Sequence, residues 1–155
     1  MLNTIIQALP VAYFGAVALP LALTDIREHR LPNKLTLPAI PLTLVAWVAL
    51  AALDNRWAYL AVAVAVAVIV FVVGLGANRT GYLGMGDVKL FAGLALMLGW
   101  FMGASALLLP VIAIVIAMIH YFIGIAVGTL RKGGALPLGP HILVSAAFML
   151  VVALG

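Results

Sequence analysis

The chain has 155 residues, 67% of them hydrophobic and 8% charged, with a formal net charge of +4 and no cysteine. A soluble domain needs about a quarter of its residues charged to cover its surface, so this composition excludes one and points to a membrane protein. The missing cysteines exclude a disulfide framework, a cysteine zinc site and a thiol nucleophile, and the basic excess fits cytoplasmic loops rather than nucleic acid, for which no binding is expected.

In chain order, the first apolar run, Leu2–Leu23, is too long for a signal h-region and lacks a basic n-region, so it reads as a retained helix. A polar island, "TDIREHRLPNKLT" (Thr24–Thr36), separates it from a second span over Leu35–Leu53, entered through Pro38 and Pro41. The third span, Trp57–Ala77, contains "AVAVAVAVIVFVV". That alternation suits a strand, but a lone strand cannot satisfy its backbone in lipid, so a helix is expected. A second polar island, "GYLGMGDVKL" (Gly81–Leu90), follows, and from Leu90 to Leu130 there is no charge. That stretch exceeds one span, and "GWFMG" (Gly99–Gly103) is the expected break between a fourth and a fifth helix. "KGGALPLGP" closes the fifth, and Pro140 opens a sixth at the helix position that proline tolerates best. The expectation is an all-α polytopic membrane protein of about six helices, with residues 1–155 as one integral membrane domain.

Seven of the eight basic residues fall in odd-numbered loops: Arg27, Arg30 and Lys34, then Arg79 and Lys89, then Arg131 and Lys132. Those loops are expected on the cytoplasmic side, with both termini opposite and with Trp57 and Trp100 at the outer interface.

The acidic residues are only Asp25, Glu28, Asp54 and Asp87. Asp54 belongs to the short turn "LDNRW" and is expected to be solvated, as are Arg27, Glu28, His29 and Arg30. Asp25 and Asp87 each fall at the cytoplasmic edge of a span, where ionisable groups are costly and tend to mark function. Alone, either acid could cap a helix or pair with Arg27 or Lys89. As a pair on one face, they can share a proton, one acting as general base on water and the other as general acid toward a carbonyl. This chemistry needs neither metal nor cofactor. The fourth helix, counted from Val88 to Gly99, would span roughly 18 Å at 1.5 Å per residue, short of a ~30 Å hydrocarbon core. Asp87 is therefore expected slightly inside the membrane, reached by water. Asp25 follows a helix C-terminus and Asp87 precedes a helix N-terminus, a dipole contrast that would leave the shared proton on Asp25 and make Asp87 the base.

Three motifs resemble the type IV prepilin and archaeal preflagellin peptidases. "GMGD" (Gly84–Asp87), followed by "VKL", is similar to the G-x-G-D motif of membrane aspartyl proteases. "DIREHRLPNKLT" (Asp25–Thr36) resembles their D-x6-P-N-x-L-T segment, and "LPLGPHIL" (Leu136–Leu143) their P-F-G-P motif, although Leu138 and His141 stand where aromatic residues are usual. The resemblance implies a six-helix peptidase of the inner (plasma) membrane that removes the leader of prepilin-like precursors at the cytoplasmic face, with Asp25 and Asp87 as the catalytic pair. It further implies the short Flp/Tad-like type, without the cysteine-zinc domain of long members and without methyl transfer.

Around the pair, Gly84 and Gly86 can adopt φ > 0 and are expected to admit a close backbone approach. Lys89 would hold Asp87 ionised or contact lipid phosphate, and Pro32 and Asn33 would shape the turn into the second span. Pro137, Gly139, Pro140 and His141 are candidate substrate contacts, with Gly139 and Pro140 also setting a helix start, and His120 is expected to be buried and bonded to a neighbouring helix. Two other functions fit the acids less well: a presenilin-like intramembrane protease, and a small proton-coupled transporter, which should carry them near the midplane.

Overall fold

The computed structural model describes residues 1–28, 31–130 and 136–155. The sequence expectations for His29, Arg30, Arg131 and Lys132 lie outside those residues. Among the described residues all regular structure is helical. Six long helices are α1 (Leu2–Glu28), α3 (Ala39–Asp54), α4 (Trp57–Arg79), α5 (Met85–Met102), α6 (Leu109–Val127) and α7 (Gly139–Leu154). A single turn, α2 (Asn33–Thr36), precedes α3, and a 3-10 turn, Gly103–Leu108, joins α5 to α6.

Four helical stretches are long and apolar enough to cross a bilayer: Leu2–Glu28, Asn33–Asp54, Trp57–Arg79 and Met85–Val127. The last covers 43 residues and is turned at Gly103, whose φ of 60° lies in the left-handed half of backbone space. The expected break at "GWFMG" is thus real. Gly139–Leu154 is apolar but shorter. The protein is an all-α polytopic membrane protein.

The arrangement follows from which helix is apolar all round. Every residue of α5 from Leu90 to Trp100 is buried, as suits a helix with no polar face to offer to solvent. Helices α3, α4, α6 and α7 pack on it, α1 joins α3 to α7, and α6 lies against α7. In lipid, helices gain little from burying apolar area against each other and rely on close contact between small residues. The tightest such contact lies between α4 and α5, where a Cβ on Gly99 would come 2.7 Å from the Ala63 Cα.

Two expectations are corrected. Helix α5 begins at Met85 and has 18 residues, about 27 Å at 1.5 Å per residue. It is not truncated, because the glycine motif itself forms the first turn, so a short helix gives no reason for Asp87 to lie deep. Trp100 is not an interfacial residue either. It is 3% exposed and stacks on Trp47 at 5.0 Å between ring centroids, while the Trp47 indole N–H donates to the Leu96 carbonyl at 3.0 Å. Trp57, by contrast, is 51% exposed.

The Ala63–Gly99 contact yields a test. Gly99→Leu should destabilise the detergent-solubilised protein by about 1–3 kcal/mol, the usual cost of overpacking, whereas Val72→Leu on the exposed side of α4 should leave the denaturation midpoint unchanged. Equal midpoints for the two variants would rule out a close α4–α5 contact at Gly99.

Candidate functional site

The bundle has two ends with different chemistry. At one end, Asn3 at the start of α1 donates its side-chain amide to Asp54 Oδ1 at the end of α3, 2.7 Å away. Asp54 is exposed, as expected for a solvated turn. Asp25 lies in the last turn of α1 and Asp87 in the first turn of α5, both at the opposite end of the bundle. Together they line one cavity of about 410 Å³, whose walls also include Leu31, Asn33, Gly86 and Lys89. The two acids that the chain keeps far apart are therefore neighbours in the fold.

Each acid is held by a helix start. The Gly139 amide, the first of α7, donates to Asp25 Oδ2 at 2.7 Å across 114 residues of sequence. Asp87 is the third residue of α5, and its Oδ1 is buried with no hydrogen-bond partner among the described residues. A buried acceptor of this kind fits a site that takes its partner from water or from a bound molecule. The helix-dipole contrast expected from the chain order is corrected here. Asp25 does end α1, but it also meets the N-terminus of α7, so both carboxylates face a positive helix end. The dipoles no longer assign the shared proton to Asp25.

The glycines act by size, not by unusual backbone angles. Gly84 has φ −68°, and Gly86 is not among the positive-φ glycines, whereas Gly81 just before them is, at φ 81°. At Gly84 a Cβ would sit 2.8 Å from Asp87 Oδ2, and at Gly86 it would sit 2.8 Å from the Leu31 Cβ. The second contact lets the segment after Asp25 close over the start of α5, as the expected backbone approach requires. Gly139 is equally restricted, since a Cβ there would lie 2.9 Å from Asp25 Oδ2.

Lys89 does not serve Asp87 in the manner expected. Its ammonium donates to Asn33 Oδ1 at 3.0 Å, tying the short helix α2 to α5 at the cavity wall. Pro32 and Asn33 do form the expected turn, with Pro32 as the N-cap of α2, and Tyr13 donates its hydroxyl to the Leu35 carbonyl just beyond, at 2.8 Å. Arg27 and Glu28 are exposed.

The third motif is also placed differently. Gly139 and Pro140 do open α7, but Pro137, Gly139, Pro140 and His141 do not line the cavity. They stand behind Asp25: Gly139 bonds to the acid, and His141 is buried with Nδ1 2.9 Å from the Pro137 carbonyl and Nε2 2.9 Å from His120 Nδ1. His120 makes the interhelical bond expected of it, yet from an exposed position on α6. The Gly139 donor and the His120–His141 contact had no signal in the sequence, because each joins positions whose spacing means nothing until α1, α6 and α7 are packed. No group of three or more His, Cys, Asp or Glu residues arranged to hold a metal is found among the described residues.

The chain matches the model of the type IV leader peptidase family over residues 12–129, a stretch that holds both acids and ends before Leu136–Leu143. It is similar to the prepilin leader peptidase/N-methyltransferase of Bacillus subtilis (strain 168), 30% identical over 137 residues, which cover 88% of this chain and 53% of that one. The chain thus spans about half the length of the curated relative it matches. No solved structure matches it.

The contact between α7 and Asp25 can be tested directly. Gly139→Ala should lower stability by about 1–3 kcal/mol, since the added methyl meets a carboxylate that α1 cannot withdraw. The check is the denaturation midpoint in detergent, where a loss equal to that of Pro137→Ala, which adds no atom near Asp25, would contradict the contact.

Proposed function

The chain belongs to the type IV leader peptidase family, and from that premise we propose that it is a membrane aspartyl endopeptidase that removes the leader of prepilin-like precursors. Asp25 and Asp87 are its catalytic pair. The observation that carries this reading is the single cavity shared by the two carboxylates.

In the proposed reaction, two carboxylates in one cavity share a proton, because like charges at such range do not both ionise readily. A water between them attacks the scissile carbonyl carbon. The ionised carboxylate takes a proton from that water while the protonated one gives its proton to the carbonyl oxygen, forming a tetrahedral diol. Collapse of the diol breaks the C–N bond, and a proton passes to the departing amine. The Gly139 amide holds Asp25 Oδ2 throughout, and Oδ1 is the oxygen proposed to take part in the exchange. Asp87 Oδ1, without a hydrogen-bond partner among the described residues, is the acceptor that water would satisfy.

The site is proposed to face the cytoplasm from the inner membrane, with six crossings. Arg27, Lys34, Arg79 and Lys89 lie at helix ends on the side of the acids, while Arg56 lies at the Asp54 end, an asymmetry that favours the cytoplasmic side for the acids. Their position at one end of the bundle also separates this reading from a proton-coupled transporter, which needs its acids near mid-membrane. A presenilin-like enzyme would have the same dyad but a substrate cut within its spanning helix. The Asp25–Thr36 and Leu136–Leu143 segments favour the prepilin type. The proposal covers leader cleavage and not the methyl transfer that the Bacillus protein's name includes.

Co-expression with a pilin-like precursor, followed by gel shift and N-terminal sequencing, tests the assignment. Asp25→Asn and Asp87→Asn should each slow leader removal by about 10²–10⁴-fold, the loss expected for a general acid or base. Asn at position 25 keeps an oxygen for the Gly139 amide, so membrane levels should not change. Normal processing by both variants would overturn the proposal.

A further inference from the structure

His120 and His141 lie outside the cavity, and the reaction proposed above does not use them, yet their geometry constrains the amide that holds Asp25. We propose that the two histidines form a strut from α6 to the start of α7 that positions the Gly139 amide on Asp25. This makes them positioning residues for leader cleavage, and the inference rests on the peptidase reading.

Hydrogen-bond chemistry fixes how the strut is built. The Pro137 carbonyl can only accept, so His141 Nδ1, 2.9 Å away, carries a proton. In neutral His141 that choice leaves Nε2 as a lone pair, and His120 Nδ1, 2.9 Å from it, must donate. The two rings lie tilted by 38° with centroids 5.1 Å apart. One tautomer of each ring therefore satisfies the whole chain from α6 to the Pro137 carbonyl. The Ser145 hydroxyl adds a bond to the His141 carbonyl at 2.7 Å.

The strut ends where the position of the backbone matters. Pro137 and Gly139 flank Leu138, the N-cap of α7, so only the two Leu138 torsions separate the held Pro137 carbonyl from the Gly139 amide. Pro140 has no N–H to offer in its place. The Gly139–Asp25 bond is 2.7 Å long, and a drift of about half an ångström would take it to the far edge of the useful range. Packing alone does not account for the pair. His120 is exposed on α6 and buries little by being there, yet its Nδ1 meets the buried His141.

The test uses the full chain in detergent micelles with a pilin-like precursor, and compares His141→Phe, His141→Asn and His120→Phe. Phe keeps the ring and loses both bonds, whereas the Asn side-chain N–H stands in for Nδ1–H toward the Pro137 carbonyl. His141→Phe should lower kcat by about 10–100-fold, the scale of a small misplacement at a reacting group, with KM nearly unchanged. His141→Asn should recover most of that loss. His120→Phe should lower kcat in the wild-type chain but have no further effect in His141→Asn, where its partner is gone. In parallel, glycine-selective 15N labelling follows hydrogen exchange at the Gly139 amide, which should quicken in His141→Phe and stay slow in His141→Asn. Equal kcat for His141→Phe and wild type, equal losses in His141→Phe and His141→Asn, or equal Gly139 exchange in all variants would overturn the strut. A wild-type chain that leaves the precursor intact would overturn the peptidase reading instead, while Gly139 exchange would still decide the strut.

Discussion

The hydrogen bond from the Gly139 amide to Asp25 Oδ2 joins residues 114 apart and closes the last helix onto the first. A buried carboxylate oxygen without a donor is costly, and the start of α7 supplies one to Asp25. The bond holds Asp25 at the wall of the cavity that it shares with Asp87. The proposed catalytic pair is in this sense produced by the closure of the bundle.

Close approach is the second requirement, and small residues meet it. Leu31 comes close to the start of α5, and the start of α7 comes close to Asp25 behind the cavity. Both approaches depend on a missing Cβ, at Gly86 against Leu31 and at Gly139 against Asp25. The same means fasten α4 to α5 at Ala63 and Gly99. Lipid provides little drive for helices to associate through apolar area, so contacts of this closeness, with a few internal hydrogen bonds such as Trp47 to Leu96, hold the bundle together.

Much of this was legible in advance and some was not, for physical reasons visible at particular residues. Asp25 and Asp87 stood out because a carboxylate at the edge of an apolar span has few reasons to be there, and the turn at Gly103 was visible as a glycine in a stretch too long for one crossing. Trp100 misled, since an indole near a helix end suits the interface and only the stacking on Trp47 shows it to be core. Gly84 and Gly86 were recognised for two properties, and close approach rather than positive φ is the one used, because a sequence does not tell a glycine needed for φ from one needed for space. Lys89 was read against its chain neighbour Asp87 and lipid phosphate, and its hydrogen bond goes instead to Asn33, on another helix.

By itself the sequence determined the class, the succession of helices and the position of two acids at the edges of apolar spans. Those follow from the cost of placing charge or open backbone in hydrocarbon, and that cost is local to each segment. Only the tertiary structure decided what each polar atom faces: Gly139 on Asp25, Asn33 on Lys89, His141 on His120, and α5 rather than another apolar helix at the centre. Those choices depend on distances of about 3 Å between helices, and nearly uniform hydrocarbon faces carry no periodic signal from which the packing partner of each could be read.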